Sequence, residues 1–156
     1  MAIQSALTTF GLSTQVREYP EGTRTAADAA AAIGCGLGQI VKSLIFMAGT
    51  PGTPLLVLVS GSNVVDEARL RDVVGGPVRR ANAAEVRAAT GQAIGGVAPI
   101  GHPTAIRTLV DPDLQQYPTV WAAAGTPRAV FEIAPTDLVR ITQAETATVT
   151  APIPPA

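Results

Sequence analysis

The longest apolar runs of the chain lie on either side of one short segment rich in glycine and proline. Residues 40–48 and 55–60 carry many apolar and β-branched side chains, and residues 49–54 between them combine Gly, Thr and Pro. This arrangement is typical of two antiparallel strands joined by a hairpin connection. Shorter runs of the same character predict strands at 15–19, 106–110, 120–123 and 129–133.

Other segments repeat their apolar residues at the spacing of a helix. The alanine-rich run 25–33 has Thr25 as its N-cap and Gly34 as its stop. Similar spacing predicts helices at 3–10, 66–74, 82–90 and 135–140. Because strands and helices are mixed without strict βαβ alternation, we predict the α+β class, with a mixed, largely antiparallel sheet flanked by helices.

The composition is that of one folded domain. The chain has 156 residues, of which 47% are hydrophobic and 15% charged, and this excludes a disordered chain. We expect a single domain over 1–156, with its core at roughly 3–142 and a frayed tail at 151–156.

The charge balance excludes a generally basic surface. Lys and Arg number 11 against 12 Asp and Glu, a net charge of −1, so any nucleic-acid contact must come from a local patch. Such a patch could be formed by Arg69, Arg71, Arg79, Arg80 and Arg87. Acidic residues lie among these arginines, and an ordinary solvated surface is the alternative.

Cys35 and His102 are the only residues of their types. They can form neither an internal disulfide nor a four-ligand zinc site, and we expect no metal and no other cofactor. Without a Gly-x-Ser-x-Gly motif, a hydrolase triad also has little support. The sequence has no signal-peptide pattern and no apolar run of the roughly 18 residues that span a bilayer, so we expect a cytoplasmic protein.

Lys42 is the only lysine of the chain, and it lies inside the most apolar stretch. A strand places alternate residues on opposite faces. The face of Lys42 also carries Ile40, Leu44 and Phe46. The other face carries Val41, Ser43, Ile45 and Met47. A compact ammonium with three donors suits a binding pocket, and a stem packed on the sheet with its head in water is the alternative.

The segment Gly95–His102 is a second candidate site because it is rich in Gly and Pro. Its glycines expose backbone N–H groups and allow positive φ, while Pro99 stiffens the chain. Such a loop can hold an oxyanion, a carbonyl or a ribose, although a tight turn between strands uses the same residues. Neither a P-loop nor a Rossmann fingerprint is present.

Several segments together carry a resemblance to a known family. They are 23–30 (TRTAADAA), 39–46 (QIVKSLIF), 95–101 (GGVAPIG), 123–133 (AAGTPRAVFEI) and 135–138 (PTDL). In this order and spacing the chain resembles the YbaK/EbsC family, which is related to the inserted editing domain of bacterial prolyl-tRNA synthetases. The resemblance implies a barrel-like sheet of the editing-domain type.

The function implied by this resemblance is that of a free-standing, trans-editing aminoacyl-tRNA deacylase, a hydrolase that serves translation fidelity. The implied substrate is the acceptor end of mischarged tRNA, typically tRNA for proline carrying a small non-cognate amino acid. Lys42 falls on the family's lysine and Gly95–Pro99 on its G-x-x-x-P loop. The family's reaction needs no protein nucleophile, because the terminal ribose and a water supply much of the chemistry while backbone donors hold the aminoacyl end.

The resemblance also implies roles for further residues. Substrate-binding candidates are Gly95, Gly96, Val97, Ala98, Pro99, Gly101, His102, Ala123, Gly125 and Thr126. Weaker tRNA contacts are Arg79 and Arg80. Lys42 is expected to hold the terminal nucleotide or the ester by its charge, and a role as a base or Schiff-base amine would need strong desolvation.

One segment departs from the family's pattern. The family's late turn often reads Ser-Ala-Gly-Lys-Arg-Gly, whereas residues 123–128 lack the hydroxyl and one cation, so cysteinyl specificity is not carried over. A pocket of Val97, Ala98, Ala123 and Ala124 favours a small apolar side chain. Because such pockets distinguish one methylene by only about 1 to 3 kcal/mol, alanine, 2-aminobutyrate, serine, threonine and cysteine all stay open.

Two other functions stay open beside the deacylase. One is a non-catalytic module that binds aminoacyl-tRNA or a synthetase, and the other is a hydrolase of other activated aminoacyl esters. Prolyl-tRNA synthetase or an elongation factor is a possible partner that would supply acceptor-stem specificity.

Overall fold

The computed structural model describes residues 2–20, 22–23, 25–93 and 95–152. Its α-helices are α1 (Ala2–Thr9), α2 (Ala26–Ile33), α3 (Glu67–Val74), α4 (Ala83–Thr90) and α5 (Pro135–Thr142). Its strands are β1 (Arg17–Glu18), β2 (Ile40–Ala48), β3 (Thr53–Ser60), β4 (Asn63–Val65), β5 (Val78–Arg80), β6 (Arg107–Val110), β7 (Val120–Ala123), β8 (Ala129–Ile133), β9 (Glu145–Thr146) and β10 (Thr150–Pro152). The predicted α+β class with a mixed sheet is confirmed.

Helices α2 and α4 begin at the residues that the sequence marks for this role, whereas α5 extends to Thr142, two residues beyond its predicted end. The Thr25 hydroxyl oxygen accepts a hydrogen bond from the Asp28 N–H at 3.0 Å, and Gly34 ends α2 with a φ of 84°. Asn82 and Glu85 form a reciprocal capping box at the start of α4. These caps satisfy N–H groups that a helix terminus leaves without an intrahelical partner.

Strand β2 lies at the centre of the main sheet. It pairs antiparallel with β3 from Val41 to Ala48, with Lys42 opposite Val59, and this confirms the predicted hairpin. The strand order of this sheet is β1-β8-β7-β2-β3-β6-β9, and β5 also pairs with β2.

The other edge of β2 has two partners with a gap between them. Strand β7 runs parallel to the start of β2, opposite Ile40 and Val41, and β5 runs antiparallel to its end, opposite residues 46–48. In the described part of the chain, residues 42–45 have no strand on this side. Because side chains alternate along a strand, Lys42 and Ser43 border this gap from opposite faces.

Apolar side chains cover both faces of β2. Val41 and Ile45 belong to the larger buried cluster, and Leu44 and Phe46 pack with Leu70 in a second one. The two clusters follow the alternation that the sequence predicts. Within the described ranges, no helix is long and apolar enough to cross a membrane.

Four short strands lie outside the sequence-based expectations. Strands β4, β5 and β10 have three residues each and β9 has two, and their partners are distant in sequence. The prediction of a frayed tail is wrong for residues 151 and 152, because β10 pairs antiparallel with β4 and its backbone is thereby held in a ladder. The rest of that predicted tail, 153–156, lies outside the described residues. The strand predicted at 15–19 is shorter, since only Arg17 and Glu18 pair with β8.

Candidate active site

A cavity of about 370 Å³ opens beside the unpaired stretch of β2. Residues 40–45 form one wall, and the lining also includes parts of α2, α4, β7 and β8, the end of β5 and the glycine loop. The sequence-predicted residues that line it are Lys42, Arg80, Gly95, Val97 and Ala123. The fold thus brings the lysine and the beginning of the glycine loop together, although more than fifty residues separate them in the sequence.

Lys42 reaches the cavity from a partly buried position. Its ammonium group donates a hydrogen bond to the backbone carbonyl of Asn63. Burial lowers the pKa of Lys42 below its usual range, the nearby charge of Arg80 lowers it further, and the carboxylate of Asp111 acts in the opposite direction. An ammonium has three donors, so two N–H groups are left for a bound molecule.

The carbonyl that holds Lys42 belongs to a well-bonded asparagine. The side-chain amide of Asn63 donates to Asp111 Oδ2 at 2.8 Å and to Asp113 Oδ2 at 2.7 Å. Asp111 is fully buried, and it also accepts hydrogen bonds from the backbone N–H groups of Ser60 and Asp113. This network fixes the position of the Asn63 backbone, and through it the ammonium of Lys42.

The two arginines predicted as tRNA contacts have different surroundings. Arg80 lines the cavity, and its guanidinium lies 5.4 Å from the ring centroid of Phe46. Arg79 instead forms two hydrogen bonds to the carboxylate of Glu85, at 2.7 and 2.6 Å. These bonds, together with one from the Asn82 N–H, lower the pKa of Glu85 to about 2. Among the described lining residues, Lys42 and Arg80 are the charged ones, so the cavity favours anionic or electron-rich groups.

The glycine loop packs closely against the turn after β7. A Cβ atom on Gly96 would lie 2.5 Å from the carbonyl carbon of Thr126, so only glycine fits there without displacing backbone. Gly96 N–H donates to the Ala93 carbonyl at 3.1 Å, and Ala98 N–H donates to Gln92 Oε1 at 2.7 Å. Two of the loop's donors therefore stabilise the loop itself.

The later residues of the same loop face a different cavity. Pro99, Gly101 and His102 line a second, shallower cavity of about 650 Å³. The His102 Nε2 atom lies 2.8 Å from the Ala98 carbonyl oxygen, which can only accept, so Nε2 carries the proton. Burial lowers the pKa of His102, and this hydrogen bond opposes the shift. The structure does not bring these three residues to the Lys42 cavity.

The small residues predicted for the pocket are divided between the cavity and the core. Val97 and Ala123 line the cavity, whereas Ala98 and Ala124 are buried in the core and do not. Gly125, with a φ of 98°, and the exposed Thr126 form the turn against which the loop packs. The apolar wall is completed by residues that the sequence analysis does not single out, among them Ile45, Ala81, Val86 and Trp121.

Thr23 and Ser43 are polar lining residues that the sequence analysis also misses as site residues. Thr23 is tied to the turn, because its N–H and its hydroxyl both donate to the Pro127 carbonyl, at 2.6 and 3.1 Å. Thr23 is the first residue of the TRTAADAA segment, and this position is the signal that could have indicated it. Ser43 follows Lys42 directly. It lies at an open edge of β2 because β5 and β7 end before it, and the sequence does not indicate where these strands end.

Cys35 is not among the lining residues of this cavity. Burial raises the pKa of the Cys35 thiol, which therefore favours the protonated, poorly nucleophilic form. The side chain packs against the buried cluster that contains Ala29 and Ile40, two residues that do line the cavity. Within the ranges that the structure describes, no group of three or more His, Cys, Asp or Glu residues could hold a metal ion.

Comparison with known proteins defines the class to which this fold and cavity belong. Residues 20–141 match the aminoacyl-tRNA editing domain, and the chain belongs to that family. The resemblance to the YbaK/EbsC family is thereby confirmed.

Two curated proteins and one solved structure illustrate the relationship. The chain is 29% identical over 137 residues to the uncharacterized protein YwhH of Bacillus subtilis, covering 88% of this chain and 87% of YwhH. It is 26% identical over 133 residues to EbsC of Enterococcus faecalis, whose name proposes a Cys-tRNA(Pro)/Cys-tRNA(Cys) deacylase, covering 85% and 80% of the two chains. A crystal structure described as a proposed trans-editing enzyme for prolyl-tRNA synthetase is 47% identical with a TM-score of 0.90, covering 96% of this chain and 95% of that one.

Proposed function

We propose that the chain is a free-standing, single-domain trans-editing enzyme that hydrolyses the ester bond of mischarged tRNA in the Lys42 cavity. The observation that carries this proposal is the meeting of Lys42 with the first residues of the glycine loop around one cavity. Membership of the editing-domain family and the names of the relatives support the deacylase activity. On this proposal the protein acts in the cytoplasm, where charged tRNA is found.

The residues of the cavity suit ester hydrolysis without a protein nucleophile. A water attacks the ester carbonyl, the acyl C–O bond breaks, and the products are the free amino acid and the ribose hydroxyl of the tRNA. Because the N–H groups of Gly96 and Ala98 are occupied, those of Gly95 and Val97 are the loop's candidate donors to the developing oxyanion. The two further N–H groups of Lys42 would bind the ester or the terminal nucleotide.

The neighbouring walls suit a small amino acid and the end of a nucleic acid. Ala81, Val97 and Ala123 leave room for a small side chain. The guanidinium of Arg80 can bind a terminal phosphate at the cavity. The guanidinium of Arg79 is already engaged in its ion pair with Glu85. A net charge of −1 suits a transient tRNA contact, with prolyl-tRNA synthetase or an elongation factor as a partner supplying acceptor-stem specificity.

The direct test uses purified protein and tRNA for proline charged in turn with proline, alanine, cysteine, serine, threonine and 2-aminobutyrate. We expect loss of the ester from one or more small non-cognate species, with prolyl-tRNA spared. Binding of these species without any loss of ester would contradict the proposal and support a non-catalytic aminoacyl-tRNA-binding module. Equal hydrolysis of aminoacyl esters that lack tRNA would instead indicate a small-molecule esterase.

A further inference from the structure

Ser43 presents a buried hydroxyl group that has no hydrogen-bond partner. Its Oγ atom is the one buried side-chain nitrogen or oxygen without a partner among the residues that the structure describes. Buried polar groups are nearly always hydrogen-bonded. A buried group without a hydrogen bond carries the full cost of its removal from water. Ser43 also lines the Lys42 cavity. Its Oγ atom has almost no accessible surface in this rotamer, so the side chain must turn to another staggered rotamer before a bound molecule can supply the missing partner.

The backbone of Ser43 faces the same open edge. The Ile40 carbonyl accepts from Gly61 N–H on the β3 side, and the Ile45 carbonyl accepts from Ala81 N–H on the β5 side. Backbone groups alternate in direction along a strand, so those of Ser43 point away from β3, like those of Ile45. Neither β7 nor β5 extends to pair with Ser43. A group bound at this edge can thus meet the peptide groups of Ser43 and, after the side chain turns, its hydroxyl.

The surroundings of the Ser43 hydroxyl indicate which kind of group can serve as its hydrogen-bond partner. Its face of β2 is otherwise apolar, with Val41 and Ile45 on either side, and Val86 and Val97 belong to the same buried cluster. The charged lining residues, Lys42 and Arg80, are both cations, which disfavours a further positive group. A small neutral group that can both donate and accept a hydrogen bond fits this position, and a hydroxyl has these properties.

We propose that Ser43 is a specificity-determining residue that binds a hydroxyl group on the side chain of the aminoacyl substrate. This inference rests on the proposed deacylase function and refines its substrate class. Serine differs from alanine, and threonine from 2-aminobutyrate, by one hydroxyl in each pair. A polar site rejects an analogue that lacks the matching group much more strongly than an apolar pocket rejects an added one. The cavity therefore selects serine over alanine and threonine over 2-aminobutyrate.

The test measures binding and hydrolysis separately. The binding probes are stable amide analogues in which serine or alanine is joined to the 3′-amino group of 3′-amino-3′-deoxyadenosine. One hydrogen bond is worth about tenfold in affinity, so we expect the wild-type protein to bind the seryl analogue about tenfold more tightly. In Ser43→Ala this preference should disappear through weaker binding of the seryl analogue, with alanyl binding unchanged. The kcat/KM ratio for seryl- and alanyl-tRNA should change in parallel.

Ser60→Ala is the matched control. The Ser60 hydroxyl is also buried on the sheet, but it donates to the Gly38 carbonyl at 2.8 Å and does not line the cavity. We expect Ser60→Ala to lower Tm and to keep the seryl preference, whereas Ser43→Ala should keep or raise Tm because it removes an unpaired group.

The outcomes separate this inference from the proposed function. Seryl and alanyl analogues that bind equally to the wild-type protein, or a seryl preference that survives Ser43→Ala, would overturn the role of Ser43 even if the tRNA esters are hydrolysed. Failure to bind either analogue would overturn it as well. A preference that Ser43→Ala abolishes, without hydrolysis of any tRNA ester, would support the role of Ser43 in binding and overturn the deacylase function alone.

Discussion

Lys42 is held by Asn63: the ammonium donates to the Asn63 backbone carbonyl, at the point where β2 loses its partner on one side. The Asn63 side chain is fixed in turn by two carboxylates, of which Asp111 is buried and Asp113 exposed. The cavity residue Lys42 is thus positioned by Asn63, Asp111 and Asp113, none of which lines the cavity.

Asp111 is expected to stabilise the protein far more than Asp113 does. Its two oxygens accept from the Asn63 amide and from the backbone N–H groups of Ser60 and Asp113. In Asp111→Asn an NH₂ group must face at least one of these donors, so we expect the free energy of unfolding to fall by about 2 kcal/mol. Denaturant titration checks this against Asp113→Asn, for which we expect a loss below about 1 kcal/mol. Equal losses would show that the buried network does not hold the Asn63 backbone.

The pKa of Lys42 can be measured without resonance assignment, because the chain has no other lysine. Protein labelled with ¹³C-lysine should give one side-chain ε signal, and we expect it to titrate below the usual 10.5, since burial disfavours the charged form. Arg80→Met removes a repelling cation and should raise the pKa. Asp111→Asn removes an attracting carboxylate and should lower it further. A wild-type pKa at or above 10.5 would contradict the expectation that burial dominates the surroundings of the ammonium.

Gly96 is expected to tolerate no larger residue. In Gly96→Ala the new methyl would lie 2.5 Å from the carbonyl carbon of Thr126, so the loop and the turn must separate, and we expect a loss of about 2 kcal/mol in the free energy of unfolding. Deacylation should fall as well, because Gly95 and Val97 move with the loop. Gly76→Ala is the control, since a Cβ there has no atom within 4 Å and should leave both properties unchanged. A stable, active Gly96→Ala protein would contradict the close packing of loop and turn.

Local signals in the sequence predict much of this fold. Thr25 and Asn82 cap helices because their side chains accept N–H groups within one turn, and the 49–54 segment reverses the chain between two apolar strands. These features depend on neighbours in the sequence, and the pattern alone identifies them. The resemblance of several ordered segments to the YbaK/EbsC family further predicts that Lys42 and the glycine loop belong to one site.

The remaining features depend on partners that are distant in the sequence. Strand β5 is short and ends in two arginines, and it becomes a strand because the end of β2 offers it a free edge. The open position of Ser43 exists because β5 and β7 both stop short of it. His102 follows the same loop as Gly95 but faces the other cavity, and no local pattern distinguishes the two directions.

We propose that the Lys42 cavity hydrolyses the ester of mischarged tRNA. The most direct measurement is single-turnover deacylation of the small-amino-acid species of tRNA for proline that the wild-type protein cleaves best, repeated with Lys42→Ala and Lys42→Arg. Arg107→Ala is the control, because Arg107 pairs with Glu145 and lines the second cavity. We predict that Lys42→Ala lowers the rate about 100-fold, that Lys42→Arg does not restore it, and that Arg107→Ala keeps the wild-type rate. A folded Lys42→Ala protein that hydrolyses the ester at the wild-type rate would contradict the account.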